Sequence, residues 1–147
     1  MRGIPGRIVY IDDGKAPMLR HNGLRLRGRP DAVTRASLWA RYCPVEIKST
    51  APPTMPYAGD VAQLVMQGFL VEATWGRYPR VGYLVYDHPA HARRVFCIRL
   101  GRAAKRRGRR ILRCMRSPRS HPAALPLGAR CTTCPARAEC RIPTTLS

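Results

Sequence analysis

At 147 residues the chain has the length of one ordinary domain, enough to bury about 68–70% of its unfolded surface. Lysine and arginine number 27 against 8 aspartates and glutamates, a net charge of +19 that exceeds what solubility needs and costs self-repulsion on folding. A polyanionic partner is therefore expected, and because most of the charge is arginine with no long amphipathic segment beside it, that partner is nucleic acid rather than a membrane surface. The opening "MRGIPGRIVYIDDG" lacks the apolar run of a signal peptide, and no stretch approaches the ~20 apolar residues of a membrane span, so a cytoplasmic protein is expected. Without a secretory signal, the clustered trio among the six cysteines (Cys43, Cys97, Cys114, Cys131, Cys134 and Cys140) reads as metal ligands rather than as disulfide halves.

Along the chain, "RIVYID" (7–12) and "GLRLRG" (23–28) are strand-like, with "DDGK" and "HNG" as turn chemistry between them. "CPVEIKS" (43–49) is a third strand, and the proline-rich "APPTMPY" (51–57) is a loop. "GDVAQLVMQGFLVEATWG" (59–76) carries apolar residues around most of its circumference, which predicts a mostly buried helix closing near Gly76. "VGYLVYD" (81–87) and "RRVFCIRL" (93–100) are two more strands, and "GRAAKRRGRRILRCMRS" (101–117) predicts a basic helix interrupted at Gly108. Three strands, a buried helix and two strands fit an α/β architecture, a mixed sheet with the helix packed on one face. The expected organisation is a core over 1–100, a basic helix and linker over 101–120, and a cysteine-rich tail over 121–147.

Within the third strand, alternation puts Val45 and Ile47 on the core face, and Glu46 and Lys48 on the other. By the same parity Arg25, Arg27, Arg29 and Asp31 share the face opposite Leu24 and Leu26. If these two strands pair, Asp31 and Glu46 meet on a polar face beside a row of arginines. Two neighbouring carboxylates repel unless a cation lies between them, and a hard divalent ion such as Mg²⁺ or Mn²⁺ suits oxygen ligands. Such an ion polarises a phosphate oxygen and acidifies a bound water, with Lys48 placed to orient that water or to stabilise charge at phosphorus, so the chemistry is phosphodiester hydrolysis. The bland alternative is a salt-bridged strand face with no metal. Asp60, Gln63 and Gln67 also form one helical stripe at spacings of three and four, with a solvated helix face as its plainer reading.

Pro30-Asp31, fourteen intervening residues and then Glu46-Ile47-Lys48 resembles the PD-(D/E)xK nucleases, and "DVAQLVMQGFLVE" resembles the QxxxY helix of their RecB-like branch. With the closing "CTTCPARAEC", the chain is most similar to the CRISPR-associated RecB-like exonuclease family, over about residues 23–86 and 131–140. The resemblance implies a PD-(D/E)xK, restriction-endonuclease-like core and an exonuclease that trims DNA during spacer acquisition, with DNA ends or single strands as substrate and CRISPR adaptation proteins as partners. It implies Mg²⁺ or Mn²⁺ ligation by Asp31, Glu46 and the backbone carbonyl of Ile47, Lys48 as catalytic lysine, and Gln63 reaching toward the site or the DNA. Two departures stand out. Gln67 occupies the position of the family's tyrosine, and the chain starts near the first core strand, without the upstream helix that commonly brings a metal-binding histidine. His21 sits in a turn and is not assigned that role. A shortened product with weak or no activity, retained as a DNA-binding module, is the alternative.

Cys131-x2-Cys134-x5-Cys140 supplies three thiolates, one short of a closed iron-sulfur or Zn²⁺ site. The family takes its fourth cysteine from the N-terminal extension, and Cys114 is the internal substitute, a partner chain being the other source. The analogy implies a [4Fe–4S] cluster, with Zn²⁺ as the alternative that spacing does not exclude, and three unliganded cysteines as the plain one. Arg106, Arg107, Arg109 and Arg110, in a basic run from Arg102 to Arg119, predict steeply salt-dependent DNA binding, to which Arg25, Arg27 and Arg29 would add. A solvated charge run is the competing reading. Trp39, Tyr57, Trp75 and Tyr78 are candidates for stacking on unpaired bases or for core packing and loop anchoring.

Overall fold

The computed structural model describes residues 3–36 and 41–116. Its elements are β1 (Arg7–Ile11), β2 (Leu19–His21), a 3-10 turn (Asn22–Leu24), β3 (Leu26–Gly28), β4 (Ala32–Ala36), β5 (Arg41–Lys48), α1 (Ala58–Trp75), β6 (Val81–Tyr86), β7 (Arg94–Arg99) and α2 (Arg102–Arg116). The fold is mixed α/β. A five-stranded sheet has the order β1-β4-β5-β6-β7, and β2 and β3 form a separate two-stranded sheet. The β5–β6 pair is parallel and the other pairs are antiparallel. A parallel neighbour needs a crossover, and α1 is that crossover. Contacts divide the chain into two compact units, residues 1–110 and 111–147.

The second strand does not join the main sheet as expected. Leu26–Gly28 folds back on β2 in the register Leu19↔Gly28, Arg20↔Arg27 and His21↔Leu26. The cause is local. Asn22 and Gly23 enter a 3-10 turn whose C-cap, Arg25, has a left-handed backbone (φ 42°), so the parity assumed from Leu24 to Asp31 breaks there. The strand that pairs with β5 is instead β4, with Ala32 opposite Val45. Arg25, Arg27 and Arg29 are exposed and belong to neither strand of that pair, so the expected row of arginines along the Glu46 face is not formed.

One face of the sheet carries the cluster Ala32, Cys43, Val45, Tyr83 and Val85, with Ile4, Val81 and Val95 against it. Ile47 continues that face by parity yet is 39% exposed, because β4 begins opposite Val45 and leaves no neighbouring strand on that side. The other face, with Val33, Glu46 and Leu84, lies under α1, whose buried residues include Leu64, Gln67, Phe69 and Leu70. Fully burying a Leu or Phe side chain contributes roughly 1.5–3 kcal/mol, so Leu64 and Phe69 are principal anchors of the helix. The helix ends as its sequence predicts: Gly76 is left-handed (φ 81°) and its N–H donates to the Glu72 carbonyl at 2.8 Å.

Helix α2 runs unbroken through Gly108, correcting the expected interruption. A Cβ at 108 would stand 2.7 Å from both Phe69 and Val65, so the glycine is a point of close approach between the helices. Among the described residues, no helix is long and apolar enough to cross a membrane.

Candidate active site

The site forms where β5 outruns β4. In an antiparallel ladder, N–H and C=O of one residue point to the same side, and the odd-numbered residues of β5 face β4. Continued one step, the register would set position 30 opposite Ile47. Pro30 has no N–H to donate, so this ladder position supplies no partner for the Ile47 carbonyl. The Ile47 N–H donates instead to Asp31 Oδ2 at 2.6 Å. The Asp31 carboxylate and the Ile47 peptide thus lie together at the end of the ladder.

Glu46 points to the helix side and is 4% exposed. Its Oε1 accepts from Lys48 Nζ at 2.7 Å and from Gln63 Nε2 at 2.5 Å, and its Oε2 accepts from Gln67 Nε2. Lys48 also donates to Gln63 Oε1 at 2.9 Å and pairs with Asp60 Oδ1 at 3.7 Å. Asp60 is held from the other side by the Tyr86 hydroxyl, which donates to Oδ2 at 2.6 Å. The stripe Asp60, Gln63 and Gln67 therefore faces the site, with Gln67 buried, Asp60 half-buried and Gln63 still exposed to solvent.

Electrostatics follow from burial. Desolvation pushes the Glu46 carboxyl above its usual range, and the Asp31 charge adds to this, against the hydrogen bonds from Lys48 and Gln67. Burial alone would lower the Lys48 ammonium, but the Glu46 bond and charge, with Asp60 and Asp31 behind them, raise it, so it stays protonated at neutral pH. Tyr86 is pushed up to about 12 by burial and by its bond to Asp60.

The donors fit a small, hard divalent cation: two carboxylates that sense each other's charge and a strand-end carbonyl with no ladder donor opposite. Among the described residues the buried Gln67 Oε1 has no hydrogen-bond partner, a further oxygen at the same carboxylate that a cation or its water would satisfy. Among the described residues there is no group of three or more His, Cys, Asp or Glu suited to a metal, so any ion here would also rely on main-chain and amide oxygens.

Asp31, Glu46, Ile47, Lys48 and Gln63 are brought together, whereas Cys131, Cys134, Cys140 and Trp39 lie outside the described residues. Cys114 lies exposed on α2, as do Arg106, Arg107, Arg109 and Arg110. His21 accepts from the Leu24 N–H, a capping role. Trp75 stacks on Tyr42 with centroids 5.0 Å apart, and the Tyr78 hydroxyl donates to the Val65 carbonyl, so both anchor the helix. Tyr57 is 56% exposed at the start of α1 and meets Tyr86 edge-on. Sequence reasoning gave Asp60 no role beyond its stripe and missed Tyr86, a hydroxyl inside the apolar run "VGYLVY"; its only signal is its place at the strand end, level with Lys48. No protein-family model matches this chain, and no curated protein matches it.

Proposed function

We propose that the chain is a divalent-metal-dependent deoxyribonuclease on a PD-(D/E)xK core, hydrolysing phosphodiesters in single-stranded DNA or at DNA ends. The observation that carries this reading is the convergence of three separated segments at one strand end, where Asp31 holds the Ile47 N–H while Lys48 and Gln63 hold the buried Glu46 carboxylate. Burying Glu46 costs stability, and a salt bridge alone does not require it. Asp31, Glu46 and the Ile47 carbonyl would hold Mg²⁺ or Mn²⁺, which supplies polarisation of a phosphate oxygen and acidification of water. Lys48 stays charged and, once turned from Glu46, offers its ammonium to the charge developing at phosphorus. Gln63 and Asp60, tethered by Tyr86, hold that ammonium in place. The arginines supply sequence-independent affinity for DNA.

From the resemblance of the Asp31, Glu46–Lys48 and Gln63 motifs to those of CRISPR-associated RecB-like exonucleases, we read this activity as DNA-end processing beside adaptation proteins. The same reading would give Cys131, Cys134 and Cys140, with Cys114 or a partner's cysteine, to a [4Fe–4S] cluster, or to Zn²⁺ in the alternative. A second reading, a DNA-docking module without catalysis, is favoured by one feature: both Glu46 oxygens are occupied by side-chain donors, one of them Gln67 at the family's tyrosine position.

The deciding experiment incubates anaerobically purified protein with end-labelled single- and double-stranded DNA in Mg²⁺, Mn²⁺ or EDTA, beside Glu46→Ala. The nuclease reading expects metal-dependent cleavage, reduced by at least ~100-fold in the variant while DNA binding persists. Tight, salt-sensitive binding with no cleavage under any metal establishes the docking module instead.

A further inference from the structure

A cleft of about 950 Å³ opens at the opposite end of the parallel strands, lined by Arg41, Tyr78, Arg80, Arg99, Arg102 and Lys105 among others. Arg41 begins β5, Arg80 directly precedes β6 and Arg99 ends β7, so the three arginines lie along one edge of three adjacent strands. Strands are spaced ~4.8 Å apart, so this comb extends about 10 Å, the scale of successive phosphates rather than of one small anion. The first turn of α2 contributes Arg102, Ala103 and Ala104 to the wall, bringing the positive end of a fifteen-residue helix to the same cleft.

The cations here are unbalanced. Among the described residues no acidic side chain lines the cleft; Glu72 lines the adjoining pocket and is already joined to Lys105 at 2.5 Å. Arg41, Arg80, Arg99 and Arg102 form no salt bridge among the described residues, and all four are exposed. Gathering four such charges at one concave edge costs repulsion that an acidic ligand would relieve.

We propose that this cleft is a second nucleic-acid contact, separate from the Glu46 site, which grips the phosphates of a single DNA strand. From Arg41 to Glu46 the strand β5 takes five steps of ~3.3 Å, so the cleft and the Glu46 carboxylate stand about 17 Å apart along the strand. At ~3.4 Å per phosphate, a strand needs at most about 5 nucleotides to reach from one to the other. The idea of a substrate strand held at both ends rests on the nuclease reading, whereas the strand-binding role of the cleft does not.

The test is fluorescence anisotropy with a labelled oligodeoxythymidylate of about 20 nucleotides, in EDTA and over a range of salt. It compares wild type, Arg80→Ala/Arg99→Ala/Arg102→Ala, and a charge-matched control, Arg7→Ala/Lys15→Ala/Arg20→Ala, from exposed positions elsewhere. The cleft variant is expected to bind about 10-fold or more weakly at low salt and to lose about 2 from the log–log salt slope, while the control changes little. Equal effects of the two triples on affinity and slope overturn the proposal. Thermal melting of each triple guards against unfolding, and Arg→Gln substitutions repeat the comparison where Ala is not tolerated. Because EDTA removes catalysis from this assay, cleft-dependent binding without cleavage in the earlier experiment defeats the nuclease alone. Cleavage together with cleft-independent binding defeats the cleft alone.

Discussion

Glu46 carries its carboxyl where solvent barely reaches, and its titration has a definite sign. Its folded pKa lies above its usual value of 4.5, because burial and Asp31 outweigh the bonds from Lys48 and Gln67. A raised pKa means that the group's contribution to stability is complete below the unfolded value and is lost as pH rises through the folded one. In chelator, the difference in unfolding free energy between wild type and Glu46→Gln should therefore move against wild type from about pH 4 toward neutrality. Urea titrations at several pH values measure it, and a pH-independent difference would mean that Glu46 titrates normally. Added Mg²⁺ or Mn²⁺ should stabilise wild type more than Glu46→Gln if the carboxylate is a ligand. For Lys48 the readout is kinetic. Lys48→Met removes the ammonium but leaves the proposed ligands, so kcat should fall by roughly 10²–10³ with little change in DNA affinity. Equal losses in both would make Lys48 a binding residue.

At the level of elements, what was legible followed the strength of local pattern. Helix α1 announced itself through four turns of apolar residues and a terminal glycine, and β5 through an alternation that put Glu46 and Lys48 on one side. The hairpin β2–β3 and the strand β4 were not legible in the same way. "AVTRA" is five residues long with two of them polar, and its stability as a strand comes from lying between β1 and β5. The proximity of Asp31 and Glu46 was expected for a partly wrong reason, since it depends on β4 and on Pro30 rather than on "GLRLRG". Gly108 shows how packing overrides propensity. Replacing glycine by alanine within a helix gains about 1 kcal/mol of propensity, but a Cβ at 2.7 Å from buried Phe69 and from Val65 overpacks the contact, at a typical cost of 1–3 kcal/mol. Gly108→Ala should thus lower stability by about 1 kcal/mol, whereas Gly59→Ala, with nothing within 4 Å of the new methyl, should be neutral or stabilising. Denaturation midpoints of the two variants decide this, and a stabilised Gly108→Ala would show that the helices separate more easily than their contact implies.

For the molecule as a whole, a charge of +19 and a cysteine trio near the end of the sequence belong to one argument about division of labour. The unit ending at residue 110 contains Asp31, Glu46, Lys48 and Gln63, whereas Cys114, Cys131, Cys134 and Cys140 all fall in the unit that follows. Thiolate-bound iron gives a broad absorbance near ~400 nm, and Zn²⁺ gives none. Anaerobically purified wild type should be coloured, and replacing Cys131, Cys134 or Cys140 by serine should abolish the colour and lower solubility. Metal-dependent cleavage by residual soluble variant should survive in part, because the proposed catalytic donors are elsewhere in the chain. A colourless, folded wild type containing stoichiometric zinc would replace the cluster with a zinc site. Complete loss of cleavage in soluble, folded variants would tie the cysteines to the chemistry itself.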